Sequence, residues 1–477
     1  MKKSISLYVL LGILFLTFIS CKNDDDATTS SQELMNETIA ILNGGSSKTW
    51  KITQATLING SIELDISENF NVKDDEFIFS RIALKDSLVW RKGFDIKTNV
   101  SNIQETLLDK YVSSISGEFS ILEGSNNTVE LDFISATFEV TEDDNINATI
   151  TNEDDSILRF TLIEKKQEDY VTVPQTGLNF SNLFSFESDA VRGSAPGMIG
   201  SYSDDSFFIA TRETDADGLN NPERVLKFDP NTNTMTEKLF PQTDYVSKQL
   251  HIVDNKLIVL GGQYVNTYDL DISQNPVSIS HGKQLSRFGI SVLDDDIYVI
   301  GGDLNDTESD KIFKWNLESE TLAEFATLPE SRSGARGTIV NDHLYVFGGS
   351  EELFGLQSSN KIFKINIANP QLIETFEMNK AINFTYVQKY QHLIYVAGQI
   401  RFIDNNNELQ TQATIGVLNT LNNSYQELAT NLVSNTGEET IHQMCIFNDK
   451  MYLIYGAEGI DNGGQYPEWD VLTANLN

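Results

Sequence analysis

Six times between residues 203 and 450 a short apolar strand, a tight polar turn and a second apolar strand recur, and this repeat governs what the chain can fold into. The turns are Ser203-Asp204-Asp205-Ser206, Asp254-Asn255-Lys256, Asp294-Asp295-Asp296, Asn341-Asp342-His343, Tyr390-Gln391-His392 and Asn448-Asp449-Lys450. Each predicts a β-hairpin. The second strands, such as LIVLGG from Leu257, IYVIGG from Ile297 and LYVFGG from Leu344, are continuous apolar runs. Runs of that kind belong to strands covered on both faces. Gly261 to Gly301 spans 40 residues, Gly301 to Gly348 spans 47 and Gly348 to Gly398 spans 50, so the hairpin is constant and insertions fall after the glycines. A period of roughly 40 to 50 residues reads as the blades of a β-propeller.

A third strand follows each insertion, as in RVLKFD from Arg224, KIFKWN from Lys311 and KIFKIN from Lys361. A hairpin ending in Gly-Gly, then a strand carrying an aromatic followed by an acid or amide (Tyr268-Asp269, Trp315-Asn316), resembles the Kelch repeat over about 176–477. Blades three and four match it well; blades one, five and six lack one or both glycines, and Leu322 stands where the fourth strand usually carries Trp. The chain stops just after the third strand of blade six. The alternating segment LNFSNLFSF at 178–186 is therefore expected to supply its fourth strand, close the ring and remove an open sheet edge.

The stretch 46–169 holds further alternating strands, and its opening around Trp50 resembles small lipocalin-like domains of surface lipoproteins. The expected fold class is all-β: a small lipocalin-like meander β-barrel followed by a six-bladed Kelch-type β-propeller. The barrel reads better as a filled spacer than as a cup for an apolar ligand. Asp86-Ser87-Leu88 and Asp155-Ser156-Ile157 resemble the loose Asp-Ser-aliphatic tripeptide of periplasmic O-glycosylation.

Lys2 and Lys3 precede an apolar run ending in Phe18-Ile19-Ser20-Cys21, the pattern of a secretory leader at 1–20. The tetrad resembles a bacterial lipobox, which makes Cys21 the expected lipidation site and 21–45 a tether. The following Lys22-Asn23-Asp24-Asp25-Asp26 is similar to the acidic tag that sends some lipoproteins to the outer face of the outer membrane. The expected location is therefore the outer membrane, facing outward, with the membrane as a partner through the lipid. Only Cys445 remains besides Cys21, in an apolar strand where an inert core thiol is expected. The formal charge of −35 repels nucleic acid and anionic headgroups, so neither is an expected partner. A monomer is expected.

The Kelch resemblance implies that the long insertions at 211–223, 303–310, 350–360, 399–411 and 457–467 share one face with the loops between blades. Loops on a rigid scaffold are where binding residues gather. The innermost strands begin on that face, so their first side chains should ring the channel mouth: Met198, Lys248, Arg287, Arg336, Phe384 and His442, with Asp303, Glu351 and Glu439 in nearby loops. Lys248, Arg287, Arg336 and His442 on so acidic a chain suit an anionic or hydroxylated ligand such as an acidic sugar. Pairing of each base with Asp303, Glu351 or Glu439 is the bland alternative. Arg332 is expected to brace neighbouring blades. No zinc-like spacing occurs among the five His, and Asp215-Ala216-Asp217-Gly218 is an incomplete calcium loop, so no cofactor or metal is expected. Some Kelch propellers are copper-radical sugar oxidases or sialic-acid mutarotases. The first needs a Cys-Tyr cross-link that Cys445 is misplaced to form; the second remains the alternative, with Glu351 or Glu439 near Arg336 as acid and base. The leading expectation is a binding protein for a glycan or a surface protein.

Overall fold

The computed structural model describes residues 31–476, apart from segments of which 68–72, 92–114, 119–127, 188–196, 213–221, 241–248, 351–357, 404–408, 433–438 and 458–467 are the longest. The expected lipidation site Cys21 lies outside the described residues, as do Lys248, Glu351 and the 215–218 loop.

A helix, Ser31–Asn43, ends at Gly44 and Gly45, both in the left-handed region (φ 60° and 86°), where glycine carries no Cβ penalty. The chain then enters a nine-stranded antiparallel sheet. Its first strand, Ser47–Asn59, pairs with Glu76–Ile82 on one side and with the last strand, Ile157–Glu164, on the other. Pairing of first and last strands is what turns a meander back on itself. Aromatic rings occupy the space inside. Phe77 stacks on Trp90 at 5.2 Å and meets Phe138 edge-on at 5.7 Å, while Trp90 meets Phe160 at 5.4 Å. The indole N–H groups of Trp50 and Trp90 donate to the Leu42 carbonyl (2.9 Å) and to Asp75 (3.1 Å), so both rings are buried without an orphaned donor. Ser156, in one of the two tripeptides that resemble the glycosylation pattern, is completely buried.

The rest of the chain forms six four-stranded sheets. Their innermost strands are Gly197–Ser201, Gln249–Val253, Gly289–Leu293, Arg336–Val340, Asn383–Tyr390 and Glu439–Phe447. Each touches the next, and the last touches the first, so the ring is closed. Closure is sealed in blade six, where Ser181–Glu187 from the start of the propeller pairs with Glu468–Asn475 from its end. The residues 257–260, 297–300 and 344–347 of the second strands are buried throughout, because neighbouring blades cover both faces of each sheet.

A small three-stranded sheet on blade three, made of Leu285–Ser286, Asp303–Leu304 and Thr307–Glu308, has no counterpart among the described residues of the other blades. The glycine pairs of blades three and four turn left-handed, at Gly301 (φ 55°), Gly302 (79°), Gly348 (60°) and Gly349 (78°). They also permit close packing. A Cβ on Gly302 would lie 2.5 Å from the Ser286 carbonyl oxygen and 2.8 Å from the Phe288 Cα.

The segment between the sheet and the ring is docked against the propeller. Tyr170 sets its ring edge-on to His392 at 5.2 Å, and Val171 and Val173 pack into the core shared by blades five and six. Phe180 exchanges two hydrogen bonds with the Asn431 side chain, at 2.7 and 2.9 Å. Because His392 sits in the first hairpin turn of blade five, the front sheet lies against the turn face of the ring.

Candidate functional site

The two faces of the ring differ in kind. The strand ends joined by tight turns, first to second and third to fourth, gather on one face; the strand ends that lead into the longer connections and on to the next blade gather on the other, here termed the loop face. Every innermost strand starts at the loop face. Their side chains line a channel cavity of about 50 Å³ whose walls include one residue from each blade: Met198, Gln249, Ser291, Arg336, Tyr386 and Gln443. A cavity of that size holds a carboxylate group or a few waters, since one water needs only ~10–15 Å³ of such volume. A sugar ring does not fit inside it and must rest above.

Arg336 is the first residue of its strand and reaches into this cavity. Its Nη1 donates to the Ala335 carbonyl at 2.9 Å and, at a longer 3.4 Å, to that of Arg287. The guanidinium lies 6.0 Å from the centre of the Tyr386 ring, and its buried Nε has no hydrogen-bond partner. Burial pulls its pKa below the usual guanidinium value, partly offset by Tyr386, and no carboxylate contributes. An arginine remains a cation at ordinary pH. Among the described residues, no carboxylate forms an ion pair with it.

The other sequence-predicted residues are placed differently. Met198 lines the channel as expected. Arg287, left-handed at φ 49°, is committed: its Nε and Nη2 both lie 2.6 Å from Asp303 Oδ2, which also accepts from the Ser286 hydroxyl at 3.0 Å. Asp303 is fully buried, so this pair matches the bland alternative for both residues. Its other oxygen, Oδ1, is buried without a partner.

His442 corrects its expectation. A bulge between Ile441 and Gln443 turns Gln443 to the channel and drives the imidazole into the body of blade six. There Nε2 donates to the Gly456 carbonyl at 3.1 Å, lies 3.0 Å from the Thr440 hydroxyl, and the ring meets Trp469 edge-on at 4.3 Å. Burial lowers its pKa to about 4, so it is neutral and structural. Glu439 opens the same strand opposite Ala457, close enough to Tyr455 for its charge to add to the burial that raises that hydroxyl to about 12. A second bulge lies between Asn383 and Tyr386, and Tyr386 lines the channel; the expected Phe384 has its side chain outside the described residues.

Gln249 and His251 were not anticipated. The signal was present in Gln-Leu-His-Ile-Val, where two polar residues alternate with apolar ones, but alignment on the turns pointed to Lys248 instead. His251 Nδ1 donates to the Ile252 carbonyl at 2.9 Å. Burial brings its pKa to about 4 and leaves a neutral ring at the channel. Arg332 is buried; its side chain donates to the Gly348 carbonyl at 2.7 Å, pairs with Glu330 and lies 4.9 Å from the Phe363 ring centre, all in or beside blade four, while its backbone reaches blade three through the Gly302 N–H at 2.8 Å and the Ser309 carbonyl at 3.1 Å.

Residues 284–321, which take in the first hairpin, the left-handed Gly-Gly and the third strand of blade three, match the Kelch motif. The fold is that of a Kelch-type β-propeller. A solved structure, titled as the structure of YjhT, is similar at 11% identity and a TM-score of 0.42, over 60% of this chain and 96% of that one. No curated protein matches the chain. What the ring contributes here is a rigid collar that holds, in a narrow polar channel, a guanidinium bonded to backbone carbonyls and ion-paired with no carboxylate among the described residues.

Proposed function

We propose that the chain is a lipid-anchored surface protein whose propeller binds a carboxylate-bearing ligand at the mouth of its channel. The observation that carries this reading is Arg336, a channel-lining cation with an unpartnered Nε and no paired carboxylate among the described residues, on a chain of formal charge −35. A protein so acidic offers many carboxylates, and leaving one arginine unpaired among Gln249, Gln443 and Tyr386 is costly unless an anion arrives from outside. The narrowness of the cavity selects a single carboxylate as the group that enters, and the amides and hydroxyls around it offer hydrogen bonds to neighbouring oxygens.

Binding is favoured over conversion. Sugar-ring opening needs an acid and a base flanking the substrate; among the described residues that line the cavity there is no carboxylate, Glu439 not being one of them, and His251 is neutral with its Nδ1 proton committed. Titration of the purified chain with sialic acids and uronates, with anomer exchange followed by NMR, tests both readings. The expected result is saturable binding without faster exchange, weakened about 10- to 100-fold by Arg336→Met, the loss of one charged hydrogen-bonding partner. Faster exchange that Arg336→Met abolishes would instead establish the mutarotase alternative. Binding indifferent to Arg336→Met overturns the site.

A further inference from the structure

We propose that the ligand is a short acidic oligosaccharide, its end carboxylate on Arg336 and a following ring stacked on Phe402 of a hairpin arm that rises from blade five. This rests on the Arg336 reading and names what else the same site holds.

The arm is visible in strand lengths. The second strands of blades two, three and four have five residues each, whereas Leu393–Ile403 and Leu409–Asn419 of blade five have 11 each and pair without a break from Leu393↔Asn419 to Ile403↔Leu409. The innermost strand of blade five gives up its support at Asn383↔Gln399. Residues beyond Gln399 therefore stand above the loop face as a two-stranded projection.

Alternation fixes which way the arm faces. Ile394 and Val396 pack with Val340, Tyr345 and Phe347 of blade four; Leu393, Tyr395 and Ala397 pack with Met444 and Leu453 of blade six. Side chains alternate strictly along an unbroken strand. Ile400 and Phe402 are thus on the side of blade four, the blade that carries Arg336. Their pairing partners, Gln412 and Gln410, share that side. Phe402 is 45% exposed, an aromatic ring with an aliphatic neighbour below it and amides alongside. An apolar ring flanked by groups that both donate and accept is suited to the C–H face and hydroxyl edge of a pyranose.

The span sets the ligand's length. Tyr386, beside Arg336, pairs with Ala397, and Phe402 lies five residues further along the same strand. At ~3.3 Å per residue that is roughly 16 Å, the reach of several linked rings and not of one. A single uronate on Arg336 would leave Phe402 untouched.

Calorimetric titration of the full chain with galacturonic acid and with di-, tri- and tetragalacturonide tests this, using Phe402→Ala and Arg336→Met as variants. Affinity should climb with length and then level off. Phe402→Ala should remove about a three- to tenfold gain from the longer ligands and leave the monosaccharide unchanged, because an exposed ring is no part of the core. Arg336→Met should weaken every length. Unchanged length dependence in Phe402→Ala overturns the arm's role while leaving the Arg336 site standing; unchanged binding in Arg336→Met overturns the site itself. Affinity independent of length, or Arg336-dependent binding of a pentaglutamate peptide with no binding of any galacturonide, overturns the oligosaccharide.

Discussion

Gly302→Ala separates two reasons for a glycine that are usually entangled. At φ 79° any Cβ meets the left-handed cost, about 1–2 kcal/mol. Here the added Cβ would also stand 2.5 Å from the Ser286 carbonyl oxygen and 2.8 Å from the Phe288 Cα, backbone atoms that no rotamer change can move aside. Overpacking of that kind costs a further ~1–3 kcal/mol. Gly282 provides the control: it is left-handed at φ 73° and an added methyl there would have nothing within 4 Å, so Gly282→Ala carries the first cost alone. Scanning calorimetry of the full chain, following the propeller transition, should show Gly302→Ala melting lower than Gly282→Ala by several degrees, at about 2 °C per kcal/mol for a body of this size. Equal losses in the two variants would refute the argument that the second glycine exists to let the chain before blade three approach.

Two further predictions concern titration and anchoring. His442 and His392 are buried and held at about 4, below the ordinary 6.5, chiefly by burial. The unfolded chain binds protons first as pH falls, so stability present above pH 6.5 is lost progressively down to pH 4, on the order of 3 kcal/mol for each group; His442→Gln should flatten that part of a urea-unfolding series, and an unaltered pH slope would count against the burial of the ring. Labelled palmitate should enter the chain in a Gram-negative host and be absent from Cys21→Ala, with the variant released from the membrane fraction; label retained by the variant would remove the anchor from the proposal.

Much of the ring was legible because its repeat is written in periodicity. Continuous apolar second strands, polar turns and the alternating 178–186 segment lead to six blades and a strand that returns to blade six, observed as Ser181–Glu187. The site was less legible, and the reason is local. Counting from the hairpin turn assumes an unbroken alternation, and bulges at Asn383/Tyr386 and Ile441/Gln443 shift the count by a residue or more just where the channel begins. A bulge leaves no reliable mark in one sequence. Thus His442 gave way to Gln443, and Tyr386 joined the channel without being anticipated. Blade four has no bulge between Arg336 and Val340, and there the first residue of the strand reaches the cavity. The extra sheet holding Asp303 was illegible for a different cause: its strands have two residues each, too short for any periodicity to register.

The docked linker gives the two halves of the proposal a common geometry. Tyr170, Val171 and Val173 are bound into blades five and six, and the Lys165–Glu76 ion pair of the front sheet lies close enough to His392 to influence its charge. Those contacts place the front sheet on the turn face, opposite the loop face at which the strand of Arg336 begins. A chain tethered through Cys21 at its front end would therefore carry its ligand site on the side away from the front sheet, and ligand size would be limited by the arm of blade five and not by the anchor. Loosening the junction should then change how the propeller is held without changing what it binds: His392→Ala, which removes the ring that Tyr170 packs against, should increase protease cleavage within 165–180 while galacturonide affinity stays at the wild-type value. A loss of affinity in that variant would mean that the turn face and the channel mouth are coupled through the ring, contrary to the independence that the separate faces imply.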